Sequence, residues 1–534
     1  MLFNSLTFLV FLPIVFLLYW GLGRRRVRAQ NAFLLVASYV FYGWWDWRFL
    51  SLIFLSSLVD YLAGMGMARG DGVSSDGASA FASKHGHDEN RDDPSGGESR
   101  LASKHGHDSG DAGASAFASK HGHVPGHEQN GRRRVLLIVS LVVNLGILLT
   151  FKYFGFFIDS FGELLNAFGL QANLPSLRLI LPVGVSFYTF QTLSYTIDIY
   201  RRKIEPTRDP VAFFAFVSFF PQLVAGPIER ASNLLPQFQR QRSVRHDDLS
   251  EGFRQILWGF LKKVVVADTA AGYVNDIFAS SATVDGLTLF IGTFLFAIQI
   301  YGDFSGYSDI AIGTARLFGF RLMRNFAYPY FSRDIAEFWR RWHISLSTWF
   351  RDYVYIPMGG SYVPKGQRIF NIMVTFTVSG LWHGANWTFL VWGFLNGAYY
   401  IPLMLRDKHK QYTAIPAEGR LLPAFGEAWR MAVTFLITLL AWVFFRADSI
   451  GHAFQILTQM ATQPYFGMEY GVYLTPVLMA VLLLAVEWLQ RDKEFALQIG
   501  AWVWPVRWAA YYAVLFIILF FGEFGEREFI YFQF

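Results

Sequence analysis

The stretch LTFLVFLPIVFLLYWGL, residues 6–22, followed by the basic cluster RRRVR, residues 24–28, decides the class of fold. The run is apolar enough to cross a bilayer, and its positive charge follows it rather than precedes it, which is the reverse of a secretory signal. We therefore predict a retained membrane span. Because basic loops face the cytoplasm, the cluster is predicted to be cytoplasmic and the N-terminus to lie outside.

The chain as a whole is strongly apolar. Of its 534 residues, 53% are hydrophobic and 16% are charged, whereas an ordinary soluble protein has about 25% charged residues. Apolar runs recur from residue 6 to residue 521, and strand-like alternation over barrel lengths is absent, so helices are the expected spanning elements. We predict an all-α polytopic membrane protein with about eleven transmembrane helices plus re-entrant or interfacial helices.

Further basic clusters support one topology. Residues 31–68 are long enough for two spans that turn near the tryptophan-rich residues 43–48, and the basic residues 132–134 and 201–203 then fall where the chain is expected back on the cytoplasmic side. The net charge of +6 lies in such short clusters beside apolar runs. This pattern indicates a membrane topology and does not favour nucleic-acid binding.

Residues 69–131 form a polar insert rich in Gly, Ser, Asp and His, in which SKHGH occurs three times. We predict that it is disordered and cytoplasmic, between N-terminal transmembrane helices (1–68) and a membrane core (132–534). Seven of the 12 histidines lie there, and His-x-His pairs can hold zinc or nickel, although a duplicated, solvated insertion is the favoured interpretation. The chain has no cysteine, so thiolate metal sites and cysteine nucleophiles are excluded.

One histidine lies in an apolar setting. His383 occurs in SGLWHGANW, residues 379–387, with apolar runs on both sides, and an ionisable group at that depth is expensive unless it faces a cavity or a partner. Gly380 and Gly384 allow a close approach to the imidazole, and Asn386 and Trp387 offer an amide and an indole donor nearby. A histidine that merely bridges two helices by hydrogen bonds is the alternative.

A second histidine lies among charges and aromatic rings. His343 occurs in EFWRRWHISLSTWFRDYVYIPMGG, residues 337–360, which we predict to be an amphipathic helix at the interface or lining a polar cavity. A simple interfacial anchor is the alternative. Arg340 and Arg341 either contact phosphates of a nucleotide-containing donor or pair with Glu337 on the same helix face, and the sequence leaves both open.

A third polar segment is YGDFSGYSDIAIG, residues 301–313, which places Asp303 and Asp309 in an apolar stretch. These carboxylates need partners, and the candidates are the arginines of the next segment or a histidine that they orient. The spacing matches no strong metal pattern, so we predict structural pairing and no metal site.

Proton transfer is the chemistry that these residues favour. A neutral imidazole can take a proton from an attacking hydroxyl, an effect worth about 10² to 10⁴ in rate. A transporter with a proton-relay histidine fits the same residues. The residues alone leave both classes open.

The motifs together resemble the membrane-bound O-acyltransferase family, in the bacterial branch that acetylates alginate. The resemblance covers nearly the whole chain outside the insert. Its carriers are residues 3–20, 37–45 (ASYVFYGWW), 221–230 (PQLVAGPIER), 301–313, 337–360, 379–387 and the terminal FIYFQF, residues 529–534.

The resemblance implies acyl transfer in a bacterial inner membrane, from a cytoplasmic thioester such as acetyl-CoA and without a bound cofactor. His383 is the expected general base, and His343 is expected to be essential, either catalytic or donor-positioning. Asn386, Trp382 and backbone amides near Gly384 are the candidates to stabilise the oxyanion. The expected acceptor is an exopolysaccharide such as alginate, reached through an extracytoplasmic acetyltransferase partner. The alternatives are acyl or D-alanyl transfer to teichoic acid or lipid, and a non-catalytic exporter or flippase.

Overall fold

The computed structural model describes residues 1–23, 25–69, 127–170, 179–224, 226–243, 245–463, 470–525 and 529–532. The described part of the chain contains twenty α-helices and no strand, which confirms the predicted all-α class. The helices are α1 (Leu6–Gly21), α2 (Val27–Asp46), α3 (Leu50–Ala68), α4 (His127–Leu148), α5 (Phe154–Ala167), α6 (Val185–Tyr200), α7 (Pro210–Ser218), α8 (Phe220–Leu223), α9 (Ala231–Gln239), α10 (His246–Phe260), α11 (Asp268–Ala279), α12 (Gly286–Leu317), α13 (Ile335–Arg341), α14 (Ile344–Phe350), α15 (Lys365–His383), α16 (Trp387–Leu405), α17 (Phe425–Arg446), α18 (Ile450–Thr462), α19 (Leu474–Leu489) and α20 (Trp504–Phe521).

Seven helical runs within the described ranges are long and apolar enough to cross a membrane, and the chain is a multi-pass membrane protein. These runs are Val27–Ala68, Gly131–Ala167, Gly286–Leu317, Trp387–Leu405, Phe425–Arg446, Tyr470–Leu489 and Trp504–Phe521. The shorter apolar helices Leu6–Gly21 and Pro210–Leu223 add to them. The first run contains the two helices predicted for residues 31–68, which meet at the turn Trp47–Phe49.

Arg133 joins three helix ends at one face of the molecule. Its guanidinium, near the start of α4, donates to the carbonyl oxygens of Met67 (3.3 Å), Ile199 (2.8 Å) and Tyr200 (3.2 Å). These carbonyls belong to the last turns of α3 and α6, where a helix has no backbone partner for them. The two flanks of the predicted insert therefore meet at this face. The predictions for residues 70–126 lie outside the described residues.

Glycines bring the central helix α12 against α10. A methyl group on Gly306 would lie 2.8 Å from the carbonyl oxygen of Gly259, and one on Gly313 would lie 2.6 Å from that of Gly252. Real side chains do not reach such distances, so only glycine permits this helix crossing. Most of α12 is buried as a result.

The helices α15 and α16 form a hairpin with His383 at its turn. A methyl group on Gly380 would overlap the Phe389 carbonyl oxygen, and one on Gly393 would overlap that of Phe376. Asn386 caps α16, its side-chain oxygen accepting from the amide of Thr388 at 3.0 Å. Small residues and this cap therefore fix where the hairpin turns.

The prediction that residues 337–360 form one amphipathic helix, at the interface or lining a polar cavity, is wrong in that the helix is not continuous. The segment forms α13, α14 and the π-helical turn Arg351–Tyr355, and His343 lies between α13 and α14 with φ of +41°. The amide of Ile344 donates to the Asn325 carbonyl, and the Arg341 carbonyl accepts from the amide of Ala327, both at 2.9 Å. The segment 325–327 therefore binds an amide and a carbonyl that a continuous helix would use for its own hydrogen bonds. For this reason the helix breaks at His343, which is buried.

Candidate active site

His383 is the last residue of α15, and its side chain is buried. Aromatic rings surround the imidazole, with centroid distances of 5.0 Å to Trp382, 5.0 Å to Trp392, 5.4 Å to Phe445 and 5.5 Å to Tyr531. Neither ring nitrogen has a hydrogen-bond partner in the described part of the chain. The hydrogen bonds that would make His383 a helix bridge are therefore not found among these residues.

His343 is fully buried and is oriented by Asn325. Its Nδ1 lies 3.1 Å from Oδ1 of Asn325, and Nε2 has no partner among the described residues. The amide N–H of Ser345 also points to that Oδ1, at 3.3 Å, which identifies the atom as the carbonyl oxygen of the side chain. An oxygen there can only accept, so His343 carries its proton on Nδ1 and presents a free lone pair on Nε2.

Two further motifs hold Asn325 in place. Its Nδ2 donates to Oγ of Ser308 on α12 at 3.1 Å, and its Oδ1 accepts from Oγ of Ser345 at 2.9 Å. Oγ of Ser345 in turn accepts from the amide of Ile228 at 3.0 Å, within the motif PQLVAGPIER. The next residue, Glu229, accepts from the amide of Met323, two residues before Asn325. The predicted motifs therefore converge on His343.

The structure brings the two predicted histidines together. Their ring centroids lie 6.5 Å apart, and Trp382 contacts both, at 6.0 Å from His343 and 5.0 Å from His383. Phe304 of α12 packs edge-on against His343 at 4.5 Å. Forty residues of sequence separate the imidazoles, yet they share one buried aromatic shell in which three of four ring nitrogens are unpartnered within the described residues.

The C-terminal segment completes this shell. The amide of Ile530 donates to Oδ2 of Asp303 at 2.8 Å, and the Tyr531 ring then lies against His383 and Phe304. Asp303 also pairs with Lys263 at 2.8 Å. The polar segment of α12 thus anchors the terminal motif beside the histidines, a role for Asp303 that the sequence left open.

A cavity of about 210 Å³ reaches the site from the side of the α2–α3 turn. It is lined by residues that include Trp45, Ser186, Trp382, Tyr531 and Lys152. A larger cavity, of about 700 Å³, shares Trp45 and Val183 with it. This cavity borders the aromatic shell through Trp382 and Tyr531, and it lies toward the start of α3, whereas Arg133 contacts the end of α3.

The other predicted residues have identifiable contacts. Asn386, besides capping α16, donates to the Asp448 carbonyl at 3.1 Å, so its amide is engaged in the fold. The indole N–H of Trp382 is buried and has no hydrogen-bond partner in the described chain, so it remains an available donor near His383.

The arginines beside His343 have different partners. Arg341 pairs with Glu337 at 2.9 Å, which also binds Arg333, whereas Arg340 donates to the backbone carbonyls of His409 and Tyr412. The alternative in which these arginines pair with Glu337 therefore holds for Arg341 and not for Arg340.

The carboxylates of α12 pair with lysines rather than with these arginines. Asp309 lies 2.5 Å from Nζ of Lys262 and accepts from Gln255 at 2.8 Å, while Asp303 pairs with Lys263. Both lysines lie in a π-helical turn, Leu261–Ala267, which continues α10. No group of three possible metal ligands occurs in the residues that the structure describes.

Sequence reasoning missed Asn325, Lys152 and Tyr531. Asn325 lies in a loop and has no distinguishing sequence context, so only its contacts reveal it. Lys152 had a signal, because it is the single charged residue in the apolar stretch 135–158. Tyr531 lies in a terminal motif that was noted but not connected with His383.

Known proteins resemble this chain over 48% to 86% of its length. The model of the membrane-bound O-acyltransferase family matches residues 201–409, which include both histidines. The probable alginate O-acetylase of Pseudomonas aeruginosa is 35% identical over 461 residues, covering 86% of this chain and 75% of the relative. The peptidoglycan O-acetyltransferase of Helicobacter pylori is 33% identical over 359 residues, covering 62% and 66%. The teichoic acid D-alanyltransferase of Streptococcus thermophilus is 28% identical over 273 residues, covering 48% and 65%.

Fold and similarity together define a multi-pass membrane enzyme that transfers acyl groups. The chain belongs to the membrane-bound O-acyltransferase family.

Proposed function

We propose that this protein is an O-acetyltransferase of the bacterial cytoplasmic membrane, with an acetyl thioester such as acetyl-CoA as donor and an exopolysaccharide such as alginate as the final acceptor. The observation that carries the proposal is the pair of buried imidazoles 6.5 Å apart, within a family of acyltransferases. The relatives named as O-acetylases support acetyl as the transferred group.

In this mechanism His383 is the general base. It takes the proton of the attacking hydroxyl as the oxygen bonds to the thioester carbonyl carbon, and the C–S bond then breaks. The imidazolium returns the proton to the departing thiolate, so the histidine is regenerated. Because neither nitrogen of His383 is engaged within the described chain, both remain available for these transfers.

His343 lies next to His383 and supports this chemistry, and the Trp382 ring contacts both imidazoles. Its Nε2 is a free acceptor of fixed orientation, suited to hold a second proton or to orient a donor group. The indole N–H of Trp382 has no partner within the described chain, so it is our candidate to stabilise the carbonyl oxygen as negative charge develops there. Asn386 is less favoured for that task, because its donor Nδ2 already binds the Asp448 carbonyl and its Oδ1 caps α16.

The predicted topology supports one direction of transfer. If the face of Arg133 is cytoplasmic, as the basic clusters predict, the 210 Å³ cavity opens outside. The acceptor, or an extracytoplasmic acetyltransferase partner that carries it, would then approach His383 from the outside, while the donor arrives from the cytoplasm.

The first test compares wild type with His383→Ala in cells, with the acetyl content of the exopolymer and the amount of enzyme in the membrane measured together. We expect acetylation to fall by about 10² or more at unchanged protein level, since a general base contributes about 10² to 10⁴. Full acetylation would refute the proposal.

A second test uses membrane vesicles of opposite orientation. Labelled acetyl-CoA should be consumed by inside-out vesicles and not by right-side-out ones. Turnover of labelled D-alanyl thioester in place of acetyl-CoA would support the alternative seen in the teichoic acid relative.

A further inference from the structure

A π-helical turn interrupts the long helix that runs from α4 into α5. It spans Leu149–Tyr153 and contains Lys152, the single charged residue of the stretch 135–158. A π turn inserts one extra residue and redirects the side chains around it, and such turns are frequent at functional sites. Here it aims two consecutive side chains, Lys152 and Tyr153, at the end of α15.

These two side chains bind three consecutive carbonyl groups. Nζ of Lys152 donates to the carbonyl oxygens of Trp382 at 2.8 Å and His383 at 3.0 Å. Oη of Tyr153 donates to the carbonyl oxygen of Leu381 at 2.9 Å. The last carbonyls of a helix have no partner within it, and a cation there also complements the helix dipole.

Packing alone does not account for a lysine at this position. An ammonium group is expensive at this depth in a membrane, and Lys152 makes no ion pair with the described residues. A methionine would fill the same space. The ammonium also borders the 210 Å³ cavity, together with Trp382 and Tyr531.

His383 depends on its backbone more than His343 does. Asn325 holds the His343 ring by a hydrogen bond, whereas the His383 ring has no such bond within the described chain. The orientation of the His383 imidazole therefore comes from its ring contacts and from the peptide that carries it. Lys152 binds that peptide directly.

We propose that Lys152 and Tyr153 are positioning residues for His383: they fix the C-terminal carbonyls of α15 and so place the imidazole for proton transfer. This inference rests on the proposed function. Lys152 contributes more to this positioning than Tyr153 does, because it binds the carbonyl of His383 itself and its hydrogen bonds are charge-assisted.

The absence of cysteine allows a direct test, since Lys152→Cys introduces the single thiol of the chain. Inside-out vesicles with this variant are assayed for transfer of label from acetyl-CoA, before and after treatment with 2-aminoethyl methanethiosulfonate. That reagent restores an ammonium group on a chain of similar length. Methyl methanethiosulfonate, which adds a neutral group, serves as the reagent control.

We expect Lys152→Cys to lower kcat about tenfold or more with little change in KM for acetyl-CoA, because small misplacements of a reacting group reduce rates by up to about 10². Aminoethylation should restore most of the loss, and the neutral reagent should not. Tyr153→Phe, which loses one neutral hydrogen bond, should lower kcat by about 2- to 5-fold. Lys365→Cys, at the exposed opposite end of α15, is the matched control and should be unaffected by either treatment.

Two results would overturn the inference: wild-type kcat in Lys152→Cys, or no recovery when mass spectrometry shows the aminoethyl group in place. Either result leaves the proposed function standing as long as wild type transfers acetyl and His383→Ala does not. Failure of wild type itself to transfer acetyl from any thioester would instead refute the proposed function.

Discussion

The hydrogen bond between Asn325 and His343 gives a quantitative prediction for Asn325→Ala. In wild type, Oδ1 of Asn325 accepts from Nδ1 of His343 and from two groups of Ser345, and this fixes both the tautomer and the orientation of the ring. Alanine removes the acceptor. Nε2 of His343, which has no partner in the described chain, then competes for the proton.

The size of the effect has two parts. A hydrogen bond contributes about 0.5 to 1.5 kcal/mol net, which corresponds to a change of about 2- to 13-fold in the ratio of tautomers. Loss of orientation adds to this, with a ceiling near the 10² to 10⁴ of a complete general base. We expect a fall in kcat of about 10- to 100-fold.

The assay follows label from acetyl-CoA in inside-out vesicles, per mole of enzyme that elutes as a single species after detergent extraction. Asn396→Ala is the matched control, because Asn396 is also buried and its side chain, among the described residues, donates to a backbone carbonyl, that of Trp392. Both variants should lose stability, and only Asn325→Ala should lose turnover. Equal turnover in the two variants would refute the role assigned to Asn325.

Three further outcomes are expected. Gly380→Ala should lower the free energy of unfolding of the detergent-extracted protein by about 1 to 3 kcal/mol in thermal unfolding, because the methyl group overlaps the Phe389 carbonyl. A wild-type melting curve would contradict this packing. Gly366→Ala, in the same helix but with open space around it, should be neutral or stabilising by up to about 1 kcal/mol in the same measurement. Replacement of residues 72–125 by a short Gly-Ser linker should leave acetyl transfer within about twofold of wild type, because the Arg133 contacts already join the flanking helices. An inactive variant at normal membrane level would show that the insert takes part in catalysis.

Part of the candidate site could be predicted from the sequence. His383 and His343 are rare ionisable groups in apolar or aromatic surroundings, and burial of such groups is expensive enough to mark them without any structure. Their motifs also indicated the family. The partners of Asp303 and Asp309 could not be predicted. Of the candidate arginines, Arg333 and Arg341 pair with Glu337 and Arg340 binds backbone carbonyls, while two lysines from the turn after α10 reach the carboxylates.

The sequence by itself determined the class of protein, because the hydrophobic effect and the need to satisfy backbone groups in lipid leave helices as the only solution for such apolar runs. It also marked His343 and His383 as candidate site residues, because burying an ionisable side chain costs free energy. Only the tertiary structure decided that the helix breaks at His343, that the two imidazoles share one shell, and that Asn325, Lys152 and Tyr531 belong there. Those facts depend on contacts between residues tens to hundreds of positions apart, such as the 231 positions between Lys152 and His383, and no local pattern encodes them.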